Sequence, residues 1–271
     1  MNIDVDSSPR RDWIRPLRYF WRVPLVLLFI VLGLLLSSLV LSWNQQVVME
    51  NGRAPLPHRM INWWALGVLR VFGMRPVRVG TPLADPVLFI ANHTSWIDIT
   101  MLHSQRAACF VAKAEIAHWP LIGWMAAMGG TIFHRRGNNH SLTTVMQTMV
   151  ERLRDGRSVA VFPEGGTSYD GVVKVFHARI FQAALDADVP VQPVALCFVR
   201  NGRRVLDPGF SEGESFVHNI VRLLGAAPME ARVNFLQPVP PSPNARRHMA
   251  DAAHAHIAAA LDSIGPGAAN T

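Results

Sequence analysis

The strongest pattern along the chain is an uninterrupted apolar segment near the N-terminus. Residues 23–43, VPLVLLFIVLGLLLSSLVLSW, carry no charged side chain. At 1.5 Å per residue, a helix of this length covers about 30 Å, the hydrocarbon thickness of a bilayer. A cleaved signal peptide is the alternative, but the segment is long for one and no small-x-small cleavage site follows it. The pattern therefore predicts a helix that contacts a membrane.

The charges that flank this segment are unequal. The arginines before it are Arg10, Arg11, Arg15, Arg18 and Arg22. Only Arg53 and Arg59 follow it closely, so the positive-inside bias places the N-terminus in the cytoplasm. A second apolar segment, residues 60–74, is too short to span a bilayer. It indicates either an interfacial helix, the return arm of a hairpin in one leaflet, or an amphipathic helix packed on a soluble domain.

From residue 75 onward, short strand-like runs alternate with helix-like stretches. The strand-like runs are 75–80, 86–92, 108–113, 131–136, 158–163, 191–200 and 231–239. The helix-like stretches are 96–103, 115–128, 139–154 and 176–187. This alternation predicts an α/β fold with a mixed, mostly parallel sheet flanked by helices, preceded by an N-terminal membrane-binding helical segment. The expected organisation is an anchoring segment over 1–74, a domain over 75–264 and a disordered tail over 265–271.

Composition narrows the function classes. Half of the residues are hydrophobic and 17% are charged, which indicates a folded chain. Cys109 and Cys197 are too few for a disulfide framework or a zinc ribbon, so buried free thiols are expected. The net charge of +7 suits an anionic partner such as phospholipid or an acidic substrate. No nucleic-acid partner is expected, because the chain has no block of five basic residues and no nucleic-acid-binding motif.

The first candidate for chemistry is the pair His93 and Asp98. A buried-type strand ends just before His93, and Asp98 follows five residues later, about one helical turn into the next element. A carboxylate at this spacing can hold the imidazole in one tautomer and leave its other nitrogen free as a general base. The alternative is a polar turn that caps a helix.

Two further strand exits carry candidate binding residues. Arg135 and Arg136 follow the strand-like run TIFH, where a guanidinium can grip a phosphate or carboxylate. Glu164 stands before Gly165 and Gly166, whose backbone can approach a ligand closely. Glu164 could bind substrate hydroxyls. A solvated basic turn and an ordinary tight turn are the respective alternatives.

Several standard catalytic motifs are absent from the sequence. There is no HExxH, CxxC, Walker A or GxGxxG, and Asp170 occupies the position where a nucleophile elbow needs glycine. The histidines of the C-terminal segment, His248, His254 and His256, lack the spacing of metal ligands. No metal site is expected.

Taken together, four segments resemble a known family. HTSWID (93–98), GTIFHRR (130–136), FPEG (162–165) and VPVQPV (189–194) resemble the four ordered motifs of the glycerolipid acyltransferase family. The similarity covers roughly residues 85–200 and is strongest to bacterial lysophosphatidic acid acyltransferases. It implies that 75–264 is an acyltransferase domain with an N-terminal membrane-binding helical segment.

The resemblance also implies an activity. Members of this family move an acyl chain from coenzyme A or acyl carrier protein to a lysolipid hydroxyl, here 1-acyl-sn-glycerol-3-phosphate, giving phosphatidic acid. His93 would be the general base and Asp98 its orienting partner, with no acyl-enzyme, no metal and no cofactor beyond the acyl co-substrate. The substrate-binding residues implied are Arg135, Arg136, Glu164, Gly165, Gly166, Thr167 and Pro193.

Two positions depart from the family pattern. Thr167 stands where the third motif usually has arginine, and His177 stands where lysine is common. Threonine at the first position resembles lyso-ornithine-lipid acyltransferases, so that lipid is the alternative acceptor. Arg135, Arg136, Lys174 and Arg179 could still supply positive charge.

The expected location follows from the donor. Acyl thioesters are cytoplasmic, so the resemblance implies an active site on the cytoplasmic face of the bacterial inner membrane. A hairpin of 23–43 and 60–74 in one leaflet satisfies this and is preferred to a single span. Two other classes stay open from sequence: a lipid hydrolase, with Ser168 as a poor nucleophile candidate, and a non-catalytic membrane-binding protein.

Overall fold

A computed structural model of the protein describes residues 12–42, 56–135, 137, 139–239 and 246–265, without the side chains of 39–42, 139 and 140. Its strands are β1 (Met74–Val79), β2 (Leu88–Ala91), β3 (Cys109–Lys113), β4 (Ile132–His134), β5 (Val159–Val161), β6 (Val191–Arg200), β7 (Arg203–Val205) and β8 (Met229–Phe235). Its α-helices are α1 (Arg15–Ser42), α2 (Leu56–Val71), α3 (Ile97–Gln105), α4 (Ile122–Met128), α5 (Asn139–Arg154), α6 (Gln182–Ala187), α7 (Phe216–Leu224) and α8 (Arg246–Asp262). Short 3₁₀ helices cover Ala114–His118 and Ala178–Phe181.

The strands form one mixed sheet in the order β1-β8-β6-β2-β5-β3-β4, with β7 paired to β6. The strands from β6 to β4 run parallel, whereas β8 and β1 run parallel to each other and antiparallel to β6. The predicted mixed, mostly parallel sheet is confirmed. The carboxyl ends of β2, β5, β3 and β4 therefore open at one edge of the sheet.

Helices cover both faces of the sheet. Side chains alternate along a strand, so Leu88 and Ile90 of β2 enter one core and Phe89 and Ala91 enter the other. The first core lies beneath α5, α6 and α8, and the second lies beneath α2, α3 and α7. Burial on both faces explains why β2, β5 and β6 read as continuous apolar runs.

The N-terminal helix is longer than the apolar segment that predicted it. It begins at Arg15, whereas the prediction began at Val23, because its first turns are anchored by arginine side chains. Arg18 donates to the carbonyl oxygen of Gly225 at 2.9 Å, and Arg22 donates to those of Leu224 at 3.0 Å and Ala226 at 2.8 Å. These carbonyls lie at the C-terminal end of α7, so α1 is attached to the domain.

The second predicted N-terminal segment is an amphipathic helix. α2 starts at Leu56 and ends before Gly73, whose φ of +74° turns the chain into β1 at Met74. The predicted segment 60–74 therefore starts too late and runs into a strand. Buried side chains on one side of α2 pack it on the sheet domain, while Trp63 stays 55% exposed.

Two of the predicted helices are interrupted or change type along their length, and two further elements were not predicted. The stretch 115–128 is divided at Leu121, which has a φ of +62°, and 176–187 begins as a 3₁₀ helix. β7 and α7 were not predicted. Most of the predicted tail 265–271 lies outside the described residues.

Candidate active site

The site forms where two neighbouring parallel strands end. β2 and β5 are paired, with Phe89 opposite Ala160, so their exits bring His93 and Glu164 to the same place. Between β2 and His93, Asn92 is fixed by two hydrogen bonds to the next strand. Its amide donates to the Leu196 carbonyl at 2.9 Å, and its side-chain oxygen accepts from the Leu196 N–H at 2.8 Å. The turn that carries His93 therefore starts from a fixed position.

His93 and Asp98 are in contact, as the sequence predicts. The imidazole Nδ1 lies 3.0 Å from Asp98 Oδ2, and this oxygen also accepts the N–H groups of Thr94 at 2.7 Å and Ser95 at 2.8 Å. The side chain of Asp98 is 1% exposed and that of His93 is 18% exposed. Because a carboxylate only accepts, Nδ1 carries the proton and donates, which leaves the lone pair on Nε2.

The alternative interpretation of this pair, a polar turn at a helix start, describes part of the same arrangement. Asp98 lies in the first turn of α3, and no side chain caps that helix at Trp96. The carboxylate instead binds the turn residues before the helix. One oxygen thus both shapes the turn and orients the imidazole.

Phe162 is a contact of His93 that sequence reasoning did not single out. Its ring stacks on the imidazole with centroids 4.0 Å apart and planes 14° apart. Phe110 stacks behind it at 5.8 Å. The aromatic residue just before Pro163 was visible in the third motif, but only the pairing of β2 with β5 places it over His93.

Glu164 is buried and joins two loops. Its Oε1 accepts the backbone N–H of His93 at 2.8 Å, and its Oε2 accepts that of Lys174 at 2.9 Å. Burial raises the pKa of Glu164, and the two N–H groups act in the opposite direction. The predicted hydroxyl-binding residue is therefore also a structural link between the turn of His93 and the loop of Lys174.

The residues after Glu164 form a tight loop. Gly165 has a φ of +71°, and a Cβ there would lie 2.9 Å from Nε2 of His177, so this position suits glycine. Gly166 and Thr167 are half-buried. The ammonium of Lys174 donates to the carbonyl of Thr167 at 2.8 Å. A cation therefore lies beside the position where the family pattern has arginine.

Ser168 and Asp170 complete this loop. The Ser168 hydroxyl is buried, 2.7 Å from Asp170 Oδ1 and 2.8 Å from the Val172 carbonyl, and its backbone N–H donates to the His93 carbonyl at 2.8 Å. The Ser168 hydrogen bond lowers the pKa of Asp170, and the nearby charge of Lys174 adds to this effect. Ser168 thus has a structural role, which argues against its use as a hydrolase nucleophile.

Other predicted residues lie further from His93. Arg135 is exposed at the exit of β4, three strand positions from β2, or about 14 Å across the sheet. Arg136 lies outside the described residues. Pro193 is buried within β6, opposite Ile90, and its carbonyl accepts the Leu236 N–H at 3.0 Å. The structure therefore gathers the first and third motifs at His93, whereas Arg135 and Pro193 stand apart.

No group of three or more His, Cys, Asp or Glu side chains suited to a metal ion occurs among the residues that the structure describes. The expectation of a metal-free reaction stays a prediction. Cys109 and Cys197 are buried free thiols, as expected.

The fold and the site define an α/β enzyme with an imidazole–carboxylate pair at a strand exit, and comparison with known proteins identifies its family. The Acyltransferase family profile matches residues 69–197. Lyso-ornithine lipid O-acyltransferase of Pseudomonas aeruginosa is 34% identical over 210 residues, covering 76% of this chain and 80% of that protein. The 1-acyl-sn-glycerol-3-phosphate acyltransferase of Neisseria gonorrhoeae is 34% identical over 140 residues, covering 50% and 55%. This chain belongs to the glycerolipid acyltransferase family.

A solved structure agrees at the level of the fold. The crystal structure of the 1-acyl-sn-glycerophosphate acyltransferase from Thermotoga maritima superposes with a TM-score of 0.69 at 18% identity, covering 94% of this chain and 98% of that one. The family profile and the relative from Pseudomonas aeruginosa, rather than this superposition, make the protein an acyltransferase of lipid biosynthesis that acts on a lipid. Within the described residues, one helix, Arg15–Ser38, is long and apolar enough to cross a membrane.

Proposed function

We propose that the protein transfers an acyl chain from a thioester of coenzyme A or acyl carrier protein to the free hydroxyl of a lysolipid, with His93 as general base. The observation that carries this proposal is the 3.0 Å contact between His93 Nδ1 and the buried carboxylate of Asp98. This contact fixes the orientation of the imidazole ring and leaves the lone pair of Nε2 available to accept a proton. Membership of the family supplies the reaction class.

The reaction proceeds by direct attack. His93 Nε2 takes the proton of the acceptor hydroxyl as its oxygen bonds to the thioester carbonyl carbon. Asp98 stabilises the imidazolium that results. The tetrahedral intermediate then breaks its carbon–sulfur bond, and the imidazolium returns the proton to the departing thiolate. The products are the ester and the free thiol, and no step requires a covalent enzyme intermediate, a metal or a cofactor.

The acceptor that the geometry favours is lyso-ornithine lipid. Thr167 removes one cation from the third motif, and the loop that follows presents the ammonium of Lys174 near the carboxylate of Asp170. Ornithine carries a carboxylate and an ammonium group, which complement this pair of charges. The relative from Pseudomonas aeruginosa bears the corresponding name. Lysophosphatidic acid is the second candidate, favoured by exposed Arg135 at the exit of β4.

We further propose that α1 lies in one leaflet on the cytoplasmic face of the bacterial inner membrane. Its inward residues, including Arg22, Phe29 and Gly33, contact the domain, while Leu27 and Val31 on its other side are exposed. Because α1 packs on the domain from Arg22 to Gly33, an orientation along the membrane normal would pull the domain into the bilayer. An oblique or in-plane position keeps Arg18 and Arg22 with the domain at the membrane surface.

The test of the base uses His93→Ala. Purified enzyme with acyl-coenzyme A or acyl carrier protein and a lysolipid should release free thiol, and the variant should be about 10²–10⁴-fold slower. The exposed His256→Ala on α8 is the matched control and should keep the wild-type rate. Turnover of His93→Ala close to wild type would refute the assignment. Treatment with EDTA should leave the rate unchanged.

The test of the acceptor is a competition between lyso-ornithine lipid and lysophosphatidic acid, with products identified by mass spectrometry. Ornithine lipid should predominate for the wild type. Thr167→Arg should shift the product ratio toward phosphatidic acid by about tenfold, the effect of one charge-assisted contact to phosphate. Val172→Arg adds the same charge at a 62% exposed position of the same loop and should shift it less. Predominant phosphatidic acid from the wild type would select the second candidate.

A further inference from the structure

A second apolar surface lies outside the N-terminal helices. The segment Trp119–Met128, which contains α4, has ten residues and no Asp, Glu, Lys or Arg. Four of its large side chains, Trp119, Leu121, Ile122 and Trp124, are between 37% and 51% exposed. An exposed cluster of large apolar and tryptophan side chains marks an interaction surface. We refer to Trp119–Met128 as the α4 arm.

The α4 arm is packed against α1. Gly33 of α1 is buried between Met125 of the arm and Trp64 of α2, and a Cβ at Gly33 would lie 2.9 Å from Trp64 Nε1. Trp64 Nε1–H in turn donates to the Phe29 carbonyl at 2.7 Å, one turn earlier on α1. Glycine permits this close approach of three helices. The arm therefore contacts the middle of the apolar segment of α1.

The contact with the arm lies far along α1 from the arginines at the start of the helix. Arg18 and Arg22 bind carbonyls of the domain. Gly33 lies about 22 Å along the helix from Arg18. The arm, with its exposed Ile122 and Trp124, therefore lies beside the middle of the apolar segment of α1 and away from its arginines.

We propose that the α4 arm is a second membrane-inserting element, whose partner is the lipid hydrocarbon of the leaflet that holds α1. This inference rests on the membrane binding of α1 in the proposed function. Trp119 and Trp124 fit the interfacial level, because tryptophan prefers the boundary between headgroups and acyl chains.

The arm also lies close to the turn that carries His93. It belongs to the crossover that leaves the carboxyl end of β3, the same edge of the sheet as His93, and leads to β4. The Trp119 ring lies 4.8 Å from that of Phe216 on α7, and Phe216 lies 5.5 Å from Trp96, between His93 and Asp98 in sequence. Insertion of the arm would therefore place the leaflet next to the turn that carries His93.

The experiment places one environment-sensitive fluorophore on an introduced cysteine and measures quenching by vesicles that contain doxyl lipids. Ile122→Cys tests the arm, Val31→Cys on the exposed side of α1 tests the anchor, and His256→Cys on α8 is the control on the opposite face of the sheet. Native Cys109 and Cys197 are buried, and the unaltered protein gives the background labelling. Each variant is first checked for acyl transfer.

The outcomes separate the two proposals. Quenching at positions 31 and 122 but not at 256 supports the inference. Quenching at 31 without quenching at 122 overturns it and leaves the membrane binding of α1 intact. The absence of quenching at 31 and 122 overturns both.

The effect of charged substitutions in the arm on vesicle binding gives a second test. Ile122→Glu combined with Trp124→Glu should weaken binding to vesicles by at least about tenfold, because two apolar side chains are lost from lipid. Transfer to a short-chain acceptor in free solution should be unchanged. The matched double variant Ala255→Glu with His256→Glu, exposed on α8, should bind vesicles like the wild type. Unchanged vesicle binding by the arm variant contradicts the inference.

Discussion

Different interactions hold the catalytic turn and the N-terminal helices in place. In the catalytic turn, residues 92–98, directional hydrogen bonds to Asp98 and Glu164 fix the backbone and the imidazole of His93. In the helical layer, formed by α1, α2 and α4, helices meet closely at Gly33 and arginines bind the end of α7. Changes in the turn should therefore affect the rate, whereas changes in the layer should affect stability and membrane contact.

The largest expected effect is on the rate, from Asp98→Asn. The amide oxygen can still accept the N–H groups of Thr94 and Ser95, but no negative charge remains to stabilise the imidazolium. We expect kcat to fall about 10³-fold, or about 4 kcal/mol in activation free energy. Tm should also decrease moderately, because the amide NH2 would replace the buried Oδ1, which has no partner.

Steady-state thiol release and thermal unfolding measure these two quantities. Asp251→Asn, exposed on α8, is the control. If the variant keeps the wild-type kcat, the carboxylate of Asp98 has no role in catalysis.

The next effect concerns pH and the contact between α2 and α3. Burial lowers the pKa of His103 to about 4, with a smaller contribution from His58, and Asn62 of α2 donates to the His103 carbonyl at 2.5 Å. The unfolded chain, with a histidine pKa near 6.5, binds more protons between pH 6.5 and 4. Stability should therefore decrease as pH falls through this range, by at most about 3 kcal/mol.

Urea unfolding at several pH values measures the change. His103→Gln, which does not titrate, should show a smaller decrease over the same range. An identical pH dependence in the variant would show that another group is responsible.

A smaller effect is expected from Arg22→Met, which keeps the apolar stem and removes the guanidinium. The carbonyls of Leu224 and Ala226 would lose their buried donor, at a cost of about 2 kcal/mol in the free energy of unfolding. The rate per folded molecule should stay near wild type. Arg59→Met, at an exposed position of α2, should leave stability unchanged, and equal effects of the two variants would contradict the anchoring role.

The elements that could be predicted are those whose pattern is contained within one short segment of the sequence. The strand-like runs were visible as short, continuous apolar segments, and the helix α5 was visible through its helical periodicity. β7 has only three residues and gave no clear pattern. α7 is amphipathic and capped by Ser215, so its signal was present in the sequence and was overlooked. The start of α1 was missed because Arg18 and Arg22 were interpreted as cytoplasmic charges, and their partners lie some 200 residues away.

In the candidate site too, contacts between residues close in sequence were predictable, whereas contacts that depend on strand order were not. His93 and Asp98 are five residues apart, so one turn could bring them together and the sequence indicated the pair. The bond from His93 to Glu164 and the stacking of Phe162 depend on β2 lying next to β5. Strand order is a property of the whole sheet and could not be derived from local patterns.

The double hydrogen bonding of Glu164 has a consequence for the order of events in turnover. One carboxylate holds the backbone of His93 and that of Lys174, beside the proposed head-group site. In the proposed function, a movement of the Lys174 loop on head-group binding would be transmitted to His93 through this side chain. Recognition of the acceptor would then be mechanically coupled to readiness for proton removal.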